Sequence, residues 1–402
     1  MYIKREIETT IKKMLKQRKV VLVTGARQVG KTTTLKQCFT NKFTYISMDN
    51  PQEYALANED TILFFKTREL PLIIDEIQRC PQLFSPVKWI VDEKNDMGQF
   101  ILTGSQTYHL MNNISESLAG RVGILEMPPL SLRELTGTTL SPCAYIPKAL
   151  KRSSAKSNLE LWEIIHKGSM PQLQDNTTDW DAFYNDYVSA YLERDVRELI
   201  NVKDEVKFYN FMVACAARTG QLFNASNISN AIDVDHKTIN SWISVLQASN
   251  IVRLVEPFWA NTEKRLTKTS KLYFMDTGLA CHLTRWTAPE QLMRGAVAGH
   301  MFETFVVSEI LKSYMNSGFN LRDVYFYRDS KKHEIDLIIR EGHILHPVEI
   351  KTAATVNKDS VKNFSYLEHF MDYTVGFGHV ICQTSKPYYI TEQVQAVSAW
   401  DI

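Results

Sequence analysis

The sequence predicts an α/β protein that opens with a doubly wound parallel sheet, continues through a helical middle and closes with a smaller α/β unit. Three observations predict it. Between Val20 and Met127, short apolar runs alternate with helical-looking segments, the pattern of strands buried on both faces and covered by helices. Between Asp204 and Leu283, three apolar helical stripes are followed by two strand-like runs. From about Gly299, an apolar helix leads into strands in which polar and apolar residues alternate.

The first sheet is expected from Val20–Val23, Phe43–Ile46, Leu72–Ile74, Phe100–Leu102 and Val122–Leu125. Pro128-Pro129 should end the last strand, because proline cannot continue the hydrogen-bond ladder. Residues 141–157, rich in Ser, Pro and Lys, read as a linker. Tyr184, Tyr187, Val188 and Tyr191 then share one helical face. In the next region Phe208, Phe211, Met212 and Cys215 form one stripe, Ile228, Ala231 and Ile232 a second, and Ile239, Trp242, Ile243 and Leu246 a third, capped by Asp235. With the runs Ile251–Val255 and Lys271–Met275 they describe a winged helix-turn-helix. The expected division is therefore 1–140, 141–203, 204–298 and 299–402.

A chain of 402 residues with a 44% hydrophobic share can bury several cores, and a net charge of +1 confines any nucleic-acid surface to a local patch. No stretch approaches the ~18 apolar residues of a membrane span. The six cysteines show no metal spacing, and Met1–Glu6 lacks a secretory apolar core. They read as reduced thiols of a cytoplasmic chain.

The sharpest chemical signal is Gly25-Ala26-Arg27-Gln28-Val29-Gly30-Lys31-Thr32, followed by Thr33. It fits GxxxxGK[ST] between a strand and a helix, where backbone N–H groups and the helix N-terminus surround phosphate oxygens. Lys31 should reach the β- and γ-phosphates of ATP, and the Thr32 hydroxyl should ligate Mg²⁺. Leu72-Ile73-Ile74-Asp75-Glu76 is a strand ending in two acids. Asp75 is placed near the metal and Glu76 as general base for the attacking water. Leu102-Thr103-Gly104-Ser105-Gln106 ends at the same sheet edge, where Ser105 or Gln106 could sense the γ-phosphate. Arg121 stands just before the last strand, as an arginine finger serving a neighbouring subunit or as a surface ion pair.

Gly25–Thr32, Leu72–Glu76, Leu102–Ser105, Ser117–Arg121 and Pro129-Leu130-Ser131 together resemble the prokaryotic AAA-family ATPases. More narrowly, the chain resembles the subgroup joined to a C-terminal domain of unknown function. That part of the likeness rests on Tyr191–Asp195, Lys271–Leu279 and the Asp336–Lys351 segment. The resemblance implies nucleotide binding.

Two further regions carry open alternatives. Helix residues Lys237, Asn240, Ser241 and Ser244, with the basic loop Asn261–Lys268, could contact DNA, or the unit could be a packing module within an ATPase. Asp233 and Asp235 oppose the DNA reading. Asp336 and Glu349-Ile350-Lys351 resemble the PD-(D/E)xK core of restriction-endonuclease-like folds, in which two carboxylates hold a metal beside a catalytic lysine. A turn centred on Glu341-Gly342-His343 would put Asp336 diagonally opposite Glu349, with Glu303 as a third acid. The competing reading is a hairpin whose polar residues face water. The expected function is an ATP-hydrolysing switch acting on or near DNA. The alternatives are an ATP-controlled nuclease and a regulatory binding module with an inert tail.

Overall fold

The computed structural model describes residues 2–104, 118–137, 141–192, 205–259 and 269–402. Its first sheet contains β1 (Val20–Thr24), β2 (Thr44–Ser47), β3 (Leu72–Asp75), β4 (Phe100–Thr103) and β5 (Val122–Glu126). They lie in the order β2-β3-β4-β1-β5, and every pairing is parallel. The fold is thus the expected α/β architecture. Because β1, β3 and β4 are central and covered on both faces, every one of their residues is buried. The parallel arrangement sends Thr24, Asp75 and Thr103 to one edge of the sheet and Val20 and Val122 to the other.

The middle region contains helices Glu205–Ala216, Ala225–Ile232 and His236–Ala248, with β6 (Gln221–Leu222), β7 (Val252–Val255) and β8 (Lys271–Phe274) in the order β6-β8-β7. Phe208 and Phe211 pack on Trp242, which unites the first and third helices. Lys237, Asn240, Ser241 and Ser244 are exposed, whereas the Asp235 carboxylate caps its own helix through the Lys237 and Thr238 N–H groups. The basic loop Asn261–Lys268 and the charged run Glu193–Glu198 lie outside the described residues.

The C-terminal sheet is mixed. It comprises β9 (Val324–Arg328), β10 (Glu334–Glu341), β11 (Ile344–Ile350), β12 (Thr374–Val375), β13 (Gly378–Cys382), β14 (Tyr388–Thr391) and β15 (Val394–Ser398). The order is β14-β15-β13-β11-β10-β9, with β12 beside β11. Glu341 pairs with Ile344, so Gly342-His343 is a two-residue turn, and Gly342 supplies the positive φ of 60° such a turn requires. The paired register ends at Leu337 and Val348, and just beyond it the Asp336 carboxylate accepts the Ile350 N–H at 2.8 Å.

One core joins these units. Ile7 and Val23 of the first sheet's layer, Phe302 and Ile310 of the helix Ala298–Ser317, and Trp400 belong to the same buried cluster. The Thr10 hydroxyl also donates to the Asn316 carbonyl at 2.5 Å. Residues 141–157, expected as a linker, are instead tied to the C-terminal sheet. The Leu150 N–H donates to Gln395 at 2.8 Å, and the Ser154 N–H donates to Asp401 at 2.7 Å. Composition alone could not show these long-range partners. No helix among the described residues is long and apolar enough to cross a membrane.

Candidate nucleotide site

The loop leaving β1 begins at Gly25, whose φ is 142° and whose added Cβ would sit 2.2 Å from the Met127 carbonyl oxygen. Only glycine permits that approach. Gln28 and Gly30 adopt positive φ values of 60° and 93°, and Gly30 opens the helix Lys31–Phe39. The Lys31 ammonium donates to the Gly25 carbonyl at 2.9 Å and to the Ala26 carbonyl at 2.8 Å, spanning the loop it belongs to.

Asp75 ends β3 beneath this loop and is 3% exposed. Its carboxylate accepts three hydroxyls: Thr32 at 2.8 Å, Tyr45 at 2.6 Å and Thr103 at 2.6 Å. Burial therefore leaves both carboxylate oxygens satisfied. Tyr45 and Thr103 were not read from the sequence as site residues. The signal was present for Thr103, which ends the strand next to Asp75 at the same sheet edge. Glu76 follows in a left-handed conformation, φ 56°, that turns it out of the strand. Its pKa is raised by burial, against the opposing Lys31 charge and the Gln78 amide donated to it.

Arg27, Gln28, Gly30, Lys31, Thr32, Thr33 and Glu76 line one side of a cavity of about 1150 Å³. The opposite wall is a short turn, Pro171–Gln174, continuing to Thr178. Sequence reading missed this wall. Its position depends on Ser169, whose N–H and hydroxyl bind Asp276 at 2.7 and 3.0 Å, and whose hydroxyl also accepts from Lys312 at 3.0 Å. The glycine loop, the helix N-terminus and the Thr32–Asp75 pair make a cradle suited to phosphates and a hard cation.

Arg121 is not brought to this cavity. It precedes β5 at the opposite edge of the sheet, where its guanidinium donates two hydrogen bonds to Asp92 at 2.5 and 2.8 Å. The parallel direction of β1 and β5 dictates this, since Val20 and Val122 start together. A finger acting on its own chain's nucleotide is thus ruled out by topology, and the ion pair is the arrangement found. Ser105, Gln106 and Ser117 lie outside the described residues.

At the other candidate site, Glu303, Asp336, Glu349 and Lys351 do come together, but around a lysine. The Lys271 ammonium, 3% exposed on β8, lies 2.9 Å from Glu303 and 3.8 Å from Asp336, and its partner Glu334 also binds Arg328 at 3.1 Å. Lys351 pairs with Glu349 at 2.6 Å. Burial first, then the Asp336 charge, raise the pKa to about 7 for Glu303 and about 8 for Glu349. For Lys271 the acids and Tyr273 outweigh burial and hold the ammonium protonated. Among the described residues no three His, Cys, Asp or Glu side chains are grouped to hold a metal ion. Where the sequence led to the expectation of a metal beside Glu303, Asp336 and Glu349, the structure places the buried Lys271 ammonium next to Glu303 and Asp336.

Three segments of the chain match known families. Residues 17–136 match a family described as an AAA domain. Residues 158–290 and 298–402 match two families described as domains of unknown function, DUF8612 and DUF4143. Uncharacterized protein Rv2008c of Mycobacterium tuberculosis is 28% identical over 355 residues, covering 88% of this chain and 74% of that protein. Uncharacterized protein MJ1544 of Methanocaldococcus jannaschii is 25% identical over 344 residues, covering 80% of this chain and 72% of its own length. Among solved structures, the Walker-type ATPase PABY2304 of Pyrococcus abyssi is similar with a TM-score of 0.42 at 15% identity, over 69% of this chain and 94% of that one. The AAA-domain match, on a parallel sheet with a glycine loop after β1, supports an AAA-type nucleotide-binding domain over residues 17–136.

Proposed function

We propose that this chain is an ATP-hydrolysing switch. One observation carries the reading: Lys31, Thr32 and Glu76 line a single cavity, with Asp75 bonded to Thr32 beneath it. In this reading the Gly25–Thr33 backbone and Lys31 hold the phosphates. Thr32 and Asp75 would hold Mg²⁺, which when bound neutralises phosphate charge. Glu76 accepts a proton from the attacking water, a role to which its raised pKa is suited. Ser105 is proposed to sense the γ-phosphate.

The switch would act through the cavity's far wall. Ser169 precedes Pro171 and is bonded both to Asp276, beyond β8, and to Lys312 of the long helix Ala298–Ser317. A nucleotide that favours one position of this wall would bias both C-terminal units. DNA is the proposed target, through the exposed face bearing Lys237, Asn240, Ser241 and Ser244. Lys264, Arg265 and Lys268, basic residues of the same region of the sequence, would add phosphate contacts. A second reading, a regulatory module with an inert tail, is favoured by Lys271 standing among the acids that a nuclease would need free for metal.

Calorimetric titration tests the main reading. Lys31→Ala should abolish tight ATP binding with the fold retained, and unchanged affinity would sink the assignment. DNA binding, followed by fluorescence anisotropy with and without ATP, should depend on nucleotide and weaken with salt.

A further inference from the structure

We propose that Arg5 is a positioning residue for the nucleotide loop, an inference that rests on the ATP-binding reading above. Arg5 lies just before the helix Ile7–Leu15, outside the phosphate motif, yet is only 2% exposed. Its Nη1 donates to the Val29 carbonyl at 2.6 Å. Its Nη2 donates to the Pro128 and Pro129 carbonyls at 2.7 and 3.3 Å. Nε lies 3.1 Å from Glu134 Oε1, which supplies the compensating charge. Glu134 is itself held in place, accepting the Glu6 N–H at 2.7 Å and the Ser131 N–H at 2.8 Å.

One planar guanidinium thus ties the phosphate loop to the segment that follows β5. The fork matters because its donors are fixed relative to one another, which a lysine ammonium cannot reproduce. Val29 is flanked by two left-handed residues, Gln28 and Gly30. A loop of that shape persists only where its surroundings over-determine it. Because the peptide unit is planar and trans, holding the Val29 carbonyl also fixes the direction of the Gly30 N–H, which points the opposite way within the same plane. Gly30 lines the cavity. Arg5 therefore acts on the nucleotide without touching it, by keeping the backbone donors aimed before ligand arrives.

The test uses the full chain with ATP-Mg²⁺ and ADP-Mg²⁺ as probes, titrated by calorimetry well below the melting transition. Arg5→Met should raise the dissociation constants of ATP and ADP together, by about tenfold or more. KM for ATP should rise by the same factor, while kcat at saturation stays near wild type. Arg5→Lys keeps the buried charge beside Glu134 but loses the fork, so it should not restore affinity. A merely structural arginine would lower the melting temperature and leave both dissociation constants unchanged. That outcome overturns the proposal, as does loss of kcat with unchanged affinity. Should Arg5→Met not fold, Arg5→Lys carries the same criteria. Wild-type protein that binds no ATP would instead defeat the nucleotide reading, a result distinct from failure of the Arg5 variants alone.

Discussion

The Lys271 ammonium lies 2.9 Å from the Glu303 carboxylate, so β8 of the middle region supplies the cation for acids of the C-terminal unit. Both side chains are largely buried. Such a pair stabilises only while complete, since removing one partner strands a buried charge.

Lys271→Met should therefore cost roughly 3–5 kcal/mol of stability near pH 7. The cost should shrink on acidification. Burial and the Asp336 charge push Glu303, the partner of Lys271, up to about 7, above the ~4.3 of an unfolded glutamate. Stability from such a group is fully present below the unfolded value and is lost as pH rises through the folded one. Denaturant unfolding at pH 5 and pH 8 checks this, and an equal loss at both would contradict the charge-compensation account.

Glu76→Gln keeps shape and removes the proposed base. ATP should bind with near wild-type affinity while turnover falls by ~10²–10⁴. If phosphate release continues at the wild-type rate, another group activates the water.

Arg121→Ala removes a half-exposed partner of Asp92 at the sheet edge remote from the cavity. Hydrolysis should stay close to wild type and remain proportional to protein concentration. A loss approaching the ~10³–10⁵ of a true finger, with activity rising faster than concentration, would restore Arg121 to catalysis in a neighbouring subunit.

His379 gives the opposite pH dependence to the acids. Its Nδ1 lies 2.5 Å from the Tyr145 hydroxyl and its Nε2 2.9 Å from the Lys148 carbonyl. A neutral ring satisfies both by accepting from Tyr145 and donating to Lys148. Burial lowers its pKa from 6.5 to about 4, which amounts to roughly 3 kcal/mol. This stability is present above pH 6.5 and lost as pH falls toward 4. His379→Gln should flatten that acid limb and slow the release of residues 141–157 seen by amide exchange at pH 5. An unchanged acid limb would show that His379 does not set it.

The sequence by itself determined whatever neighbouring residues encode. Gly25–Thr32 is one strand–loop–helix unit, so its glycines, lysine and threonine are legible without tertiary knowledge. The end of an apolar run placed Asp75 and Glu76 at the same sheet edge, because parallel strands share a direction. Helical spacing likewise selected Ile239, Trp242, Ile243 and Leu246, all buried. Asp336 and Glu349 fall on one sheet face by period two, although the two-residue turn altered the register of their strands.

What only the tertiary structure decided is how charges distant in the chain are compensated. Nothing beside Lys271 in sequence announces that it will sit between Glu303 and Asp336, and nothing beside Arg5 points to Val29 or Pro128. The far wall at Pro171–Thr178 is brought to the glycine loop by long-range packing, including the Ser169–Asp276 hydrogen bond. Local motifs arise from backbone geometry over a few residues. A buried charge takes its partner from whichever element packs against it, because the cost of desolvation is offset only by groups within hydrogen-bonding reach.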